Sequence, residues 1–124
     1  MNYAIYVLAL TLILFDIITG ILKAIKQHNL DSTRLREGLY HKLAECLALI
    51  CPGLLYYGAL YAQISIPFPM VEAVGGYICV MEVLSAIENL CEVNPDLFKL
   101  FQPYLKKLKG IADSKGDEDN GKRN

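Results

Sequence analysis

The stretch that decides the fold lies at residues 3–22 and reads YAIYVLALTLILFDIITGIL. It contains no lysine or arginine, and its 20 residues would reach about 30 Å as a helix, the thickness of one hydrocarbon layer. A cleaved signal peptide would need basic residues before its apolar run. None lies before residue 3, whereas Lys23 and Lys26 follow directly. We therefore expect a membrane span that is retained.

Two further apolar stretches follow, LAECLALICPGLLYYGALY at residues 43–61 and MVEAVGGYICVMEVLSAIENLC at residues 70–91. Pro52-Gly53 falls inside the first of them, and a membrane helix tolerates such a pair as a kink. The prolines of QISIPFP end the regular helix between the two stretches. The sequence predicts an all-α membrane protein with spans at about 3–25, 39–61 and 70–91.

The basic residues are strongly clustered. The chain has 124 residues, 54% of them hydrophobic, and all 12 lysines and arginines lie within residues 23–42 and 99–123. The length allows a single domain. We place that domain at residues 1–112 and expect residues 113–124 to form a disordered polar tail. This distribution argues against a soluble enzyme, and against a nucleic-acid-binding protein, which needs a basic face.

The same clustering predicts the orientation. With three spans, both basic segments fall on one side of the membrane, and the N-terminus and the 62–69 turn fall on the other. The positive-inside rule places the basic side in the cytoplasm. Basic residues near this boundary can contact anionic lipid; they are Lys26, Arg34, Arg36, Lys42, Lys106, Lys107 and Lys109. Tyrosines near the opposite side suit an interfacial belt, although they could equally pack between helices.

Two connecting segments contain helix signals. The first helix should break at His28-Asn29, and Asp31 or Ser32 can cap the next one. Asn94-Pro95-Asp96 then predicts the start of a helix at about 95–111, with apolar residues at helical spacing beside several lysines. We expect this amphipathic helix to lie on the inner membrane surface or to pack against another protein.

Acidic residues within the apolar stretches are the main functional clue. An ionised acid at the centre of a span costs roughly 2.5–3.5 kcal/mol. There are five of them: Asp16, Glu45, Glu72, Glu82 and Glu88. Glu45 and Glu72 lie near span ends, where contact with water or an intrahelical pair of Glu45 with Lys42 would explain them.

The remaining acids belong to two polar helix faces. On the first span, Asp16 shares a face with Thr19, Gly20 and Lys23. On the third, small and polar residues form a second face, suited to close helix contact; they are Gly75, Cys79, Glu82, Ala86 and Asn89, with Ser85 and Glu88 beside them. These acids could be protonated or paired within one chain. Because three helices offer little interior, however, we expect a monomer to expose one face and a homo-oligomer to bury both between subunits or along a water-filled path.

No motif for catalysis or for binding a cofactor is present. The sequence has no nucleophile elbow, glycine-rich phosphate loop or HExxH segment. Its four cysteines lack metal-ligand spacing, and we interpret them as small apolar residues. We expect no enzyme activity, no metal and no cofactor.

Residues 15–45, FDIITGILKAIKQHNLDSTRLREGLYHKLAE, resemble the small phage-lysis and toxin-secretion holins of Gram-positive bacteria and their phages. In those proteins an Asp near the inner end of the first span is followed by a Gly, a Lys-Ala pair, a basic loop, and a Gly and a Lys opening the second span. The matching positions here are Asp16, Gly20, Lys23, Ala24, Leu30, Ser32, Gly38 and Lys42. An E-x-x-S-x-x-E-N pattern also matches at Glu82, Ser85, Glu88 and Asn89. The resemblance covers about residues 10–112.

The resemblance implies a protein that accumulates in the bacterial cytoplasmic membrane and then assembles abruptly into lesions. Such lesions collapse the membrane potential and let an endolysin or a toxin cross without specific binding. The implied partners are further copies of the chain, the lipid bilayer and, in some systems, an antiholin. The alternative function is that of a non-lytic membrane interaction protein, such as an antiholin itself or a subunit of a larger complex.

The predicted orientation can be tested with reporters. A fluorescent reporter that matures only in the cytoplasm should be active when fused after Asn124 and inactive when inserted after Gln63, because the two positions lie on opposite sides of a three-span chain. A reporter that is active only outside the cytoplasm should give the opposite pattern. Fluorescence from the insertion after Gln63 would contradict the orientation.

Overall fold

The structure is a computed structural model that describes residues 2–67 and 69–121. The described chain contains four helices and the segments that connect them. The helices are α1 (Tyr3–Lys26), α2 (Ser32–Tyr61), α3 (Met70–Val93) and α4 (Asp96–Gly121). The first three are long and apolar enough to cross a membrane. The predicted all-α fold, with three spanning helices and a fourth C-terminal helix, is confirmed.

Side-chain caps and backbone turns set the helix ends close to where the sequence places them. After α1 ends at Lys26, His28 adopts a φ of 51°, a left-handed conformation that turns the chain. Asp31 then caps α2 by accepting a hydrogen bond from the Thr33 N–H at 2.9 Å. The Asn94 side chain accepts from the Asp96 N–H at 3.2 Å and starts α4 in the same way.

The helices α1 and α3 run parallel and pack along most of their length. At one end Ile5 lies against Gly75, and at the other the Lys26 ammonium donates to the Val93 carbonyl. Gly75 permits the close approach, since a Cβ built on it would lie 2.6 Å from Cγ1 of Ile5. This pairing fixes which faces of the two helices meet.

Helix α2 runs antiparallel to them and contacts α3 more than α1. Its Leu49 joins Ala9, Ile13, Ile78 and Cys79 in the buried apolar core, and Cys46 packs against that core. The buried Cys79 agrees with its interpretation as a small apolar residue. Pro52 and Gly53 are buried within a helix that continues through them.

Tyrosines gather at the end of the bundle opposite the lysines. The hydroxyls of Tyr3 and Tyr57 are 2.6 Å apart, and Tyr56 and Tyr57 make an edge-to-face ring contact. Tyr61 is 87% exposed. These side chains therefore join the ends of α1 and α2 that lie away from the lysines, and they remain available to a membrane interface, so the two interpretations of the tyrosines are compatible.

Among the described residues, α4 contacts only α3. Leu105 is buried, while Phe98, Leu100 and Tyr104 are exposed. The structure continues α4 through Gly121, beyond the predicted end near residue 111 and into the segment expected to be disordered, and Pro103 lies within the helix without ending it. Residues 122–124 of the predicted tail lie outside the described residues.

The outer faces of α1 and α2 are apolar and exposed. Large residues such as Val7, Leu14, Leu43 and Leu54 are each more than half exposed. Exposed surface of this composition and extent is what a hydrocarbon environment requires. The polar side chains therefore lie mainly at the helix ends or between the helices.

The contact of Gly75 with Ile5 predicts a difference between two adjacent glycines. Gly75→Val should lower the free energy of unfolding by about 1–3 kcal/mol more than Gly76→Val, because the new side chain forces α1 away from α3. A Cβ at Gly76 meets no described atom within 4 Å. Unfolding by a denaturing detergent measures both variants, and equal losses would contradict the packing.

Candidate functional site

A buried network of ion pairs joins the three spanning helices. The Lys42 ammonium on α2 lies 2.6 Å from Oδ2 of Asp16 on α1 and 2.6 Å from Oε2 of Glu82 on α3. It also lies 2.8 Å from the second carboxylate oxygen of Glu82. A third carboxylate, that of Glu45, is 3.3 Å away along the same helix. One cation thus meets acids from α1, α2 and α3.

The three main partners lie at the same depth. Asp16 is ten residues before the end of α1, Lys42 is ten residues after the start of α2, and Glu82 is eleven residues before the end of α3. At 1.5 Å per residue, each lies about 15 Å from the loop ends of the bundle. The ion pairs therefore lie well inside the spanning segments and not at their boundary.

Hydrogen bonds from Asn89 extend the network along α1. Its side-chain amide donates to Oδ1 of Asp16 at 3.1 Å and to the Thr19 hydroxyl at 3.2 Å. The Thr19 hydroxyl donates to the backbone carbonyl of Asp16 at 2.9 Å. Gly20 lies beside this amide, and a Cβ there would make an ordinary van der Waals contact with its nitrogen at 3.7 Å. Both oxygens of Asp16 are therefore used.

Burial makes these interactions strong. The side chains of Glu82, Asp16 and Lys42 are 2%, 7% and 17% exposed. Each charge that is removed from water costs several kcal/mol unless it is paired and hydrogen-bonded. Removing one member of the network alone would therefore leave the remaining buried charges unpaired and destabilise the fold. The network carries one formal positive charge and three negative charges, an excess of acid held between the helices.

The two polar faces predicted from the sequence meet each other within one chain. The expectation that a monomer exposes one of them is wrong for Asp16, Thr19 and Glu82, which are all buried. The physical reason is that α1 and α3 are parallel and in register, so each polar face covers the other. A role for these residues in contacts between subunits or in lining a pore stays a prediction.

The structure places the other residues of those faces as follows. Gly75, Cys79 and Ala86 are buried in the helix contact, and Ser85 is partly buried. Glu88 is exposed and lies 3.4 Å from the Lys109 ammonium on α4. Lys23 pairs with Glu92 at 3.1 Å. The ion pairs Glu88–Lys109 and Lys23–Glu92 connect α3 to α4 and α1 to α3 near the loop ends of these helices.

Lys42 corrects one prediction. We expected it to face lipid at the boundary, but its ammonium points into the bundle because the carboxylates of Asp16 and Glu82 lie there at the same depth. The predicted intrahelical pair with Glu45 is present as well. The other basic residues of that group are exposed, and their contact with lipid at the boundary stays a prediction; they are Lys26, Arg34, Arg36, Lys106, Lys107 and Lys109.

Sequence reasoning missed the partnership of Lys42 with acids on the other two helices. The sequence did contain a signal for this partnership, because Lys42 lies about as far from the loop end of its helix as Asp16 and Glu82 lie from the loop ends of theirs. It also missed the contacts of Glu92, which accepts a hydrogen bond from the Gln27 side chain at 3.1 Å. Within the described chain, no three His, Cys, Asp or Glu side chains are grouped so as to hold a metal ion.

Comparison with known proteins identifies the family. The family model described as bacteriophage holin family matches residues 1–110. The chain belongs to the bacteriophage holin family. No curated protein and no solved structure gives a match. The resemblance based on the motifs around Asp16 and Glu82 is thus confirmed, and this holin-family chain is a multi-pass membrane protein of phage-holin type.

Three positions of the holin-like motifs are those that form the network. Asp16 and Lys42 come from the first motif, and Glu82 comes from the motif of the third span. Asn89, from the same pattern as Glu82, binds Asp16. Residues of the holin-like motifs that are far apart in the sequence therefore lie together in one network.

Removal of the only cation in the network should destabilise this holin-family chain. Lys42→Met leaves buried carboxylates without a counter-charge and should cost about 3–5 kcal/mol of unfolding free energy in detergent. Adding Asp16→Asn and Glu82→Gln should recover most of that loss, because the only carboxylate then left in the network is that of Glu45, which is 35% exposed.

The exposed Lys107 provides a matched control. Lys107→Met removes the same charge outside the network and should change the stability by no more than about 0.5 kcal/mol. Equal effects of the two methionine substitutions, or no recovery in the triple variant, would contradict the network as described.

Proposed function

We propose that this chain is a non-enzymatic phage holin that oligomerises in the bacterial cytoplasmic membrane and forms lesions through which an endolysin or a toxin crosses. Membership of the holin family supports this proposal. The location of all 12 lysines and arginines in two segments supports an N-terminus outside and a C-terminus in the cytoplasm. The observation that carries the mechanism is the ion-pair network of Lys42, Asp16 and Glu82.

The network allows the chain to accumulate before it acts. With Asp16, Lys42 and Glu82 facing each other, the outer faces of α1 and α2 present apolar side chains to lipid. A single chain is then compatible with the bilayer, because its charges are paired out of contact with hydrocarbon. This state is the closed form of the proposed mechanism.

The same network makes opening cooperative. If α1 and α3 separate in one chain, Asp16, Glu82 and Asn89 lose their partners in a medium that cannot solvate them. A neighbouring copy that opens in the same way, or water in a growing lesion, can supply new partners. Opening is therefore favourable only when several chains open together, so it depends steeply on concentration.

The polar faces acquire their second role in the assembled state. In this proposal the two polar faces line contacts between subunits or the water-filled lesion; their residues are Asp16, Thr19, Gly20 and Lys23 on α1, and Gly75, Cys79, Glu82, Ser85, Ala86, Glu88 and Asn89 on α3. The excess of acid would give the lesion a negative lining. The membrane potential can bias the transition, since moving one charge through 100 mV changes the free energy by about 2.3 kcal/mol.

Expression in bacteria with a potential-sensitive dye tests the function. The chain should accumulate while growth continues, and the potential and growth should then be lost abruptly. Asp16→Asn should bring this loss forward at equal protein levels, because an uncharged amide costs less to expose when the helices separate.

Asp113 on α4 offers the control, because it is exposed and lies outside the network. Asp113→Asn should leave the timing unchanged. Normal growth with an intact potential at high membrane levels of the chain would contradict the holin. If the chain instead delays the lysis that a second, lytic protein causes, that result would support an antiholin. Unaltered timing of Asp16→Asn would contradict the network as the device that sets the transition.

A further inference from the structure

A cavity of about 370 Å³ lies between the loop-side halves of α1 and α2. It exists because α2 diverges from α1 and packs mainly on α3. Gly20 on α1 and Gly38 on α2 both line it. A Cβ on Gly38 would meet no described atom within 4 Å, so this wall of the cavity is open. The volume falls within the range of small-molecule sites.

The lining of the cavity is polar at both ends and apolar between them. Toward the loop it contains Lys23, Gln27 and Arg34, its middle part includes Ile21 and Leu39, and residues of the ion-pair network line its deep end. A ligand with a charged head at the loop end and an apolar body beside Ile21 and Leu39 suits this lining. Ile21 and Leu39 line the cavity and are also exposed on the apolar outer surface, so its mouth lies at the lipid-facing surface.

The charges at the loop side favour an anionic head. Among the described residues, Arg34 forms no ion pair, although its side chain lines the cavity. Lys23 lies on the opposite wall and is shared with Glu92. The Asp31 carboxylate also lines the cavity, but it accepts the Thr33 N–H as the α2 cap. A guanidinium presents paired donors that match two oxygens of a phosphate.

We propose that this cavity binds the phosphate headgroup of an anionic membrane phospholipid, with Arg34 and Lys23 contacting the phosphate. The first part of an acyl chain would pass between Ile21 and Leu39 and continue into the bilayer. The site shares one wall with the ion-pair network, because Asp16, Lys42 and Asn89 also line the cavity. A bound lipid therefore holds α1 and α2 at their present separation and favours the closed chain. The binding itself does not depend on lesion formation.

The chain contains no tryptophan, so a single introduced tryptophan reports on one position. Ile21 lines the cavity, whereas its neighbour Leu22 does not, and both side chains lie at nearly the same depth. The full-length Ile21→Trp and Leu22→Trp variants are reconstituted in vesicles, and quenching by brominated phosphatidylglycerol is compared with quenching by brominated phosphatidylcholine. Ile21→Trp should show about a five-fold preference for the anionic lipid. Leu22→Trp should show nearly none.

Second substitutions in the Ile21→Trp background locate the site. Arg34→Gln should bring the preference close to one, because it removes the phosphate donor. Gly38→Leu should do the same by filling the cavity, whereas Gly58→Leu, on the same helix with no described atom near its Cβ, should leave the preference unchanged. Helical content measured in the same vesicles confirms that each variant is folded.

Two results would overturn the proposal. The first is an equal preference for the anionic lipid at Ile21→Trp and Leu22→Trp, or a preference that survives Arg34→Gln and Gly38→Leu, since either indicates general attraction to the membrane surface. The second is displacement of the lipid by soluble glycerol phosphate, which would assign the site to a free phosphate. Because occupancy is measured in intact vesicles, a chain that binds lipid but forms no lesion would contradict only the proposed function.

Discussion

The structure depends on the placement of one ammonium group, that of Lys42, between carboxylates on three different helices. In water such contacts contribute little, because solvent screens them and competes for the same groups. Inside a membrane protein the alternatives to pairing are far worse, since neither an ammonium nor a carboxylate can be left in hydrocarbon at moderate cost. The need to satisfy these charges therefore selects the arrangement of the helices. The apolar surfaces select it less strongly, because apart from close contacts such as that of Gly75 with Ile5 they can face lipid or each other with similar free energy.

This requirement explains the unequal packing of the bundle. Helix α3 presents Asn89 to α1 and Glu82 to Lys42 of α2, and it lies at the centre, where it contacts every other helix. Helix α2 reaches the network mainly through the long side chain of Lys42, so it can diverge from α1 and leave the cavity at the loop end. The cavity and the network are therefore consequences of the same geometry. A ligand in the former would affect the separation of helices in the latter.

The same interaction reconciles two demands on a membrane protein of this family. In the proposed function the chain must be compatible with lipid while its concentration rises, and it must later present polar surface to water or to other copies. Polar residues at the surface would fail the first demand, and an entirely apolar core would fail the second. Charges that are paired inside one chain would meet both, because in the proposed mechanism the pairing is strong when the chain is alone and is replaced by other contacts when several chains meet.

Much of the fold could be predicted because it depends on local properties. The spans followed from runs of apolar residues, the break at His28 and the cap at Asp31 from turn and capping preferences, and the side-chain cap at Asn94 from the Asn-Pro-Asp signal. The two polar faces were also visible, since each follows from helical periodicity on a single span. Their expected exposure was wrong, because whether two faces meet is a property of a helix pair and not of either helix.

The sequence by itself therefore determined the number of spanning helices, the faces that carry polar groups and the family to which the chain belongs. Only the tertiary structure decided that α1 and α3 pair in parallel, that Lys42 turns inward between them, and that α2 leaves a cavity beside Arg34. The physical reason is that apolar runs and caps act within a few residues of the chain. The cost of a buried charge, by contrast, is relieved by residues 26 and 40 positions away, and only the packing of all three helices brings them together.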